Sequence, residues 1–260
     1  MGSSQTNVKS LFIVEGADRE VKFIKKLAKT FNWGIEIVSV CANIHMLYTK
    51  LKAEDFNFEI KSILLESPNV SETDKDKLRS EKNFAYTYLI FDLDLQHYDI
   101  SDEENIRRGL NDVKEMIRYF NDETDSTVGK MYINYPMIES YRDCSSFFDE
   151  EFKTRMINLS DITSYKTIVG KRGINTNLSK YTTENFKDLV CMNLFKGNYI
   201  YNGIWGKPTY SNYVDNISQD KIFDNQSLKI LNEKIISVLN CSLFIVVDYY
   251  GNQNFHYDNL

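Results

Sequence analysis

The sequence predicts an α/β fold, with a parallel sheet flanked by helices and an α-rich C-terminal elaboration behind it. Three observations predict it. Apolar, strand-sized runs alternate with segments of helical periodicity over the first 150 or so residues. Acidic residues stand where several of those runs end, and beyond residue 150 the alternation fades.

Residues 8–14 read as a buried strand closed by the turn Glu15-Gly16. Over residues 18–31, Val21, Ile24, Leu27, Ala28 and Phe31 recur at helical spacing. Phe23 widens the stripe, and Lys22, Lys25, Lys26 and Lys29 fill the other face. Asp18 and Glu20 in the first turn suit the helix dipole, and Gly34 reads as a stop. Residues 35–40 alternate as a second strand, and 44–51 as a second helix. Residues 53–84, charge-rich around 72–82, read as an insertion with some helix. The rhythm resumes with a strongly apolar strand at 85–91 running into Asp92-Leu93-Asp94. A helix follows at 103–120, striped by Ile106, Leu110, Val113, Ile117 and Phe120. A fourth strand at 131–135 leads into Pro136-Met137-Ile138-Glu139. The division predicted is a core over 1–150 and an elaboration over 151–260. The elaboration has helices at 183–193 and 226–239 and a final strand at 243–248. Gly170, Gly173, Gly197, Gly203 and Gly206 mark loops.

Composition narrows the function classes. With 17 Tyr and 16 Phe against 11 Gly and 3 Pro, the chain is built for packed cores rather than long disordered tracts. A net charge of −6 argues against a broad, sequence-indifferent nucleic-acid face, because such affinity comes largely from phosphate contacts. It leaves room for a local site where carboxylates hold a metal that meets phosphate. Cys41, Cys144, Cys191 and Cys241 lack C-x-x-C spacing, and only three His accompany them. They read as free, mostly buried thiols in a reducing compartment, not as a zinc site. No basic-then-apolar leader opens the chain and no run is long enough to span a membrane, so a cytoplasmic location is expected. No G-x-x-x-x-G-K-[ST] occurs, and Gly203-Ile204-Trp205-Gly206-Lys207-Pro208 lacks both the first glycine and the hydroxyl residue. Any ATP hydrolysis coupled to this protein belongs to another polypeptide.

In open α/β sheets the functional crevice lies beyond the carboxyl ends of the strands. Glu15 follows the first strand, Asp92 and Asp94 the third, and Glu139 the fourth. Residues two apart on an extended segment share a face, so Asp92 and Asp94 can share a ligand. Carboxylates brought together repel unless a cation lies between them, and an all-oxygen set suits Mg²⁺ or Mn²⁺. His97, just past Asp94, is a further candidate ligand, although a lone loop His is more often structural.

These residues carry a family resemblance. Leu11-Phe12-Ile13-Val14-Glu15-Gly16 resembles the first motif of TOPRIM domains, and Leu89-Ile90-Phe91-Asp92-Leu93-Asp94 resembles the second. The resemblance implies a Rossmann-like TOPRIM core in which the glutamate does acid/base or metal-binding work and the aspartates bind Mg²⁺. Residues 132–141 are similar to the Asn-Pro-x-x-Glu-like strand end of RloB-like and OLD-type TOPRIM proteins, although Tyr135 separates Asn134 from Pro136. This adds Glu139 to the metal set Glu15, Asp92, Asp94. OLD-type relatives also use a lysine after the core, which makes Lys166 and Lys171 candidates, with Arg172 completing a phosphate-attracting patch. Glu15 and Asp92 stand further apart in sequence than in compact TOPRIM domains, which the insertion at 53–84 accounts for.

The resemblance implies an Mg²⁺- or Mn²⁺-dependent endonuclease acting on DNA or RNA, transfer RNA included. It would be a toxic effector of a bacterial phage-defence system working with a separate ATPase or sensor. A homodimer is left open by the aromatic content. Topoisomerase and primase activities are not expected, since the sequence shows neither large gating domains nor a zinc module. Two other readings compete. Ile90-Phe91-Asp92-Leu93-Asp94 also resembles the nucleophile motif of haloacid-dehalogenase-type phosphatases, with Asp92 as nucleophile, but Gln96 stands where Thr or Val is usual. The other is a non-catalytic TOPRIM-fold regulatory subunit, against which the full carboxylate set argues.

Overall fold

A computed structural model describes residues 9–57, 59–80 and 84–254, with the side chains of 251–254 left aside. The stretch read for a leader, and Val8 of the first strand, lie outside the described residues.

The chain runs β1 (Ser10–Val14), α1 (Arg19–Phe31), β2 (Ile35–Ser39), α2 (Ile44–Ala53), α3 (Ile60–Glu66), α4 (Glu72–Ser80) and β3 (Tyr86–Asp92). After a 3-10 turn at Leu95–His97 come α5 (Glu103–Tyr119), β4 (Asn121–Asp122) and β5 (Gly129–Tyr135). Then follow 3-10 turns at Ile138–Arg142 and Glu150–Thr154, β6 (Met156–Asn158), a 3-10 turn at Leu159–Ser164 and α6 (Tyr165–Arg172). The chain ends with α7 (Thr183–Asn202), α8 (Tyr210–Asn216), α9 (Gln219–Glu233), β7 (Ile235–Ser237), β8 (Leu239–Asn240) and α10 (Ile245–Asn254). It divides into two units, residues 1–91 with 116–132 and residues 92–115 with 133–260, so β3, α5 and β5 each pass from one to the other.

The main sheet has the order β2-β1-β3-β5-β4, with β8 on β5, and β6 pairs β7 separately. β1 runs parallel to both β2 and β3, in register Val14↔Ser39 and Val14↔Ile90. β4 and β8 are antiparallel to β5. The fold is therefore α/β with a mostly parallel, mixed sheet. Every residue of β1 is buried, as a strand covered on both faces requires. On α1 the predicted stripe is buried at Phe23, Ile24, Leu27, Ala28 and Phe31 but only half-buried at Val21, and the helix ends at Asn32 in the left-handed conformation (φ 56°).

The predicted insertion proves to guard a sheet edge. β2 is an edge strand, and such strands present unpaired amides and carbonyls. Asp74 on α4 accepts from the Ser39 amide at 3.2 Å, and Lys77 donates to the Ile37 carbonyl at 2.9 Å and pairs with Asp74.

Several expectations for the second half are corrected. Residues 243–248 form no strand. A 3-10 turn at Cys241–Phe244 runs into α10, and the strands lie earlier, as β7 and β8. Leu243–Val247 are all buried, and a short apolar run has the same appearance in a strand as in a buried helix. The helix expected at 226–239 is α9, which begins at Gln219 and stops where Lys234 turns left-handed (φ 57°). Gly170 and Gly197 lie inside α6 and α7 rather than in loops. α7 extends well past the expected 193 and starts with a reciprocal cap between Thr182 and Asn185. The cysteines are free, but only Cys144 and Cys241 are buried, while Cys41 is exposed.

Candidate functional site

Strand order locates the crevice. From β1 the chain moves to β2 on one side and then to β3 on the other, so the order reverses between β1 and β3. Open α/β sheets bind ligands beyond the carboxyl ends of strands at such a reversal. Glu15 follows directly on Val14, and Asp92 stands two residues beyond Ile90, the partner of Val14.

In the first unit, the turn carrying Glu15 is tied to the segment after β2. The Cys41 amide donates to the Glu15 carbonyl at 2.9 Å and the Ser39 hydroxyl to the Gly16 carbonyl at 3.2 Å. Glu20 folds over Gly16, where a Cβ would meet its Oε2 at 2.6 Å.

β5 runs alongside β3 in the same direction. Gly129, at its start, lies against Thr87 and Leu89, and Asn134, near its end, accepts from the amide of Leu93. Gly129 has φ +87°, and any added Cβ would lie 2.9 Å from the Thr87 carbonyl, so glycine is required there twice over.

In the second unit, Asp92 and Asp94 are 6 % and 4 % exposed, and Glu139 is 2 % exposed. Asp94 adopts φ 55°, which an aspartate tolerates better than most residues. Its Oδ1 accepts from Gln96 Nε2, and its Oδ2 lies 3.3 Å from His97 Nε2. Glu139 sits on the 3-10 turn Ile138–Arg142, just past the cis Tyr135–Pro136 bond. Its Oε1 stands 3.9 Å from Lys166 Nζ.

The two candidate lysines are not in a loop. Both lie on α6, five residues apart and hence on different faces. Of the two, Lys166 faces Glu139. Arg172, read as part of a phosphate-attracting patch, is engaged by a buried carboxylate. Its Nε and Nη2 each lie 2.6 Å from a different oxygen of fully buried Asp143, whose Oδ2 also accepts from Tyr165 at 2.9 Å. That pairing raises the Arg172 pKa, and burial, reinforced by Asp143, raises that of Tyr165.

The C-terminal half supplies supports that the sequence did not reveal. Asn240 donates from Nδ2 to the Ile138 carbonyl (3.0 Å) and to Ser140 Oγ (3.1 Å), on either side of Glu139. Its own amide donates to Asn193 on α7 at 2.8 Å. Ser140 returns a bond to the Leu239 carbonyl at 3.2 Å, and Ser242 donates to Asn134 Oδ1 at 2.9 Å. All these residues are buried, and buried polar groups impose geometry because each needs its partner. Asn and Ser spread over a hundred residues leave no local pattern to read.

No family model, curated protein or solved structure matches this chain. The TOPRIM resemblance therefore rests on its own residues. The oxygen chemistry of Glu15, Asp92, Asp94 and Glu139 suits Mg²⁺. Among the described residues no three His, Cys, Asp or Glu side chains are grouped to hold a metal ion. Three surface clefts of about 390 to 480 Å³ are lined elsewhere, one by Arg107, Lys114 and Asp224, one by Lys25, Asp74 and Lys77, one by Tyr199 and Lys229. None of the three includes a predicted site residue. No helix among the described residues is long and apolar enough to cross a membrane.

Proposed function

We propose that this chain is a TOPRIM-type phosphodiester hydrolase acting on nucleic acid. One observation carries the proposal: acidic residues follow the carboxyl ends of β1, β3 and β5 in a sheet whose order reverses between β1 and β3. In this reading, Glu15 or Asp92 takes a proton from the attacking water. Lys166, held near Glu139, opposes the negative charge gathering on the phosphate. Lys171, on another face of α6, is assigned to substrate approach rather than chemistry.

Mg²⁺ or Mn²⁺ would neutralise charge on the phosphate. The cation, the separate ATPase or sensor, the homodimer and the role as a toxic phage-defence effector in the cytoplasm belong to the same proposal and stand on the resemblance alone.

The test incubates purified protein with duplex DNA, single-stranded DNA, ribosomal RNA and transfer RNA, in EDTA, Mg²⁺ or Mn²⁺, with and without a co-expressed ATPase. Cleavage by the wild type, lost in Glu15→Ala and Asp92→Ala with unchanged circular dichroism, is the expected result. Wild-type rates in both variants overturn the residue roles. A wild type inert in every arm overturns the hydrolase reading and leaves the regulatory subunit. A phospho-aspartate trapped on Asp92 identifies the phosphatase alternative.

A further inference from the structure

We infer that Asp143 is a positioning residue for Lys166, acting on the reaction without touching substrate. The inference rests on the proposed hydrolase reading and deepens it.

Two segments carry matched pairs. The turn after β5 bears Glu139 and, four residues on, Asp143, while α6 bears Lys166 near its start and Arg172 at its end. The inner pair is a rigid fork. Asp143 binds Arg172 through two bonds of 2.6 Å and holds Tyr165, the first residue of α6, by a third of 2.9 Å. Two-pronged arginine–carboxylate pairs fix direction as well as distance. One side chain thus clamps α6 at both ends.

Beyond the fork, the Ile174 amide donates to the Arg142 carbonyl at 2.9 Å. A Cβ on Gly173 would fall 2.3 Å from that carbonyl, so the approach requires glycine. The outer pair is looser. Lys166 has a side chain 55 % exposed, against 3 % for Glu139, and the two meet at 3.9 Å. Its ammonium therefore leans on one buried carboxylate while keeping donors toward solvent, where a phosphate would arrive. Among the described residues Glu139 is its ion-pair partner, so its direction depends on how α6 sits.

Stability alone gives weak reason for such a fork, because buried ion pairs often contribute little compared with apolar residues of the same volume. Aiming a catalytic charge is a stronger reason, since a displacement of about 1 Å can cost about a hundredfold in rate.

The test has two arms. In kinetics on the cleaved nucleic acid, Asp143→Asn is expected to lower kcat about a hundredfold with KM nearly unchanged. Lys166→Met should show a similar loss, and the double variant should be no worse than Lys166→Met. Arg172→Lys, which keeps the charge but loses the fork, should share the defect, and Tyr165→Phe should show a smaller one. Multiplying losses in the double variant overturn the inference.

The second arm needs no activity. With lysines dimethylated by ¹³C-formaldehyde, the Lys166 resonance should shift on Glu139→Gln in an otherwise wild-type chain and stay still in the Asp143→Asn background. An equal shift in both backgrounds overturns the positioning role. A wild type that cleaves nothing defeats the hydrolase reading, while the resonance still decides what Asp143 does. Should Asp143→Asn fail to fold, Tyr165→Phe and Arg172→Lys carry both arms.

Discussion

The amide of Leu93 donates to the carbonyls of both Asn134 and Pro136, each at 3.2 Å. Leu93 is the residue between Asp92 and Asp94, so this shared bond fastens the acidic end of β3 to the end of β5, just ahead of Glu139. Leu93 itself is fully buried, and Asp92 and Asp94 on either side of it are buried too. The carboxylates are thus carried on backbone that the sheet holds firmly.

That arrangement separates activity from stability at Asp92. Burying a carboxylate is costly, so Asp92→Asn, which keeps the shape and removes the charge, should leave the melting temperature unchanged or raise it. The same change should lower nucleic-acid cleavage by at least about a hundredfold if Asp92 handles a proton. Calorimetry beside a cleavage assay checks both. A clear fall in melting temperature would make Asp92 a structural carboxylate.

Asn240 should matter out of proportion to its distance in sequence. Removing its side chain leaves the Ile138 carbonyl and Ser140 without a donor in a buried place. Asn240→Ala is therefore expected to cost about 2 kcal/mol. Urea unfolding gives the stability. Faster hydrogen exchange at Ser140, whose own amide donates to the Met137 carbonyl, would show that the turn itself has loosened. Unchanged exchange there would mean that Asn240 stabilises something else.

The edge of the sheet gives a third expectation. Asp74→Ala removes the acceptor of the Ser39 amide and the partner of Lys77 in one step. The loss should be about 1 kcal/mol, with a greater tendency to associate through the uncovered strand. Light scattering during mild heating is the measurement. A variant as monodisperse as wild type would show that α4 protects β2 by packing alone.

Which parts of the molecule were legible follows from how local their causes are. β1, β3 and β5 announce themselves because strands buried on both faces need continuous apolar runs, and α1 and α5 because one buried face repeats every turn. The acidic residues could be placed at strand ends for the same reason. That Gln96 and His97 turn back onto Asp94 could not be foreseen, since a loop has no period to place them. α6 was hidden by Gly170, which reads as a loop residue although no close approach requires glycine there. Arg172 looked available for phosphate because its partner lies 29 residues away, on a turn with no helical or strand period. Leu243 to Val247 misled because complete burial erases the periodicity that separates a helix from a strand.

Lys196 supplies a stability signature that no surface group would give. It lies on α7 at 1 % exposure and donates to the carbonyls of Phe152, Lys153 and Arg155 at 3.1, 2.6 and 3.1 Å, closing the 3-10 turn Glu150–Thr154. Burial, with Lys229 and Arg155 nearby, pushes its pKa down to about 7 from the usual 10.5. The three acceptors work against that, since they are best served by the full ammonium. The sign follows from proton counting. Between about pH 7 and the unfolded lysine value of about 10.4, the unfolded chain binds more protons at this site than the folded one, so this residue's contribution to stability rises with pH. Lys196→Met removes the titration and also three hydrogen bonds, and is expected to cost about 3 kcal/mol at pH 7. Urea melts of both chains from pH 6 to 10 should show the gap between them widening above pH 7. Parallel curves across that range would mean that the carbonyl cage keeps Lys196 fully charged, and that burial does not govern its proton.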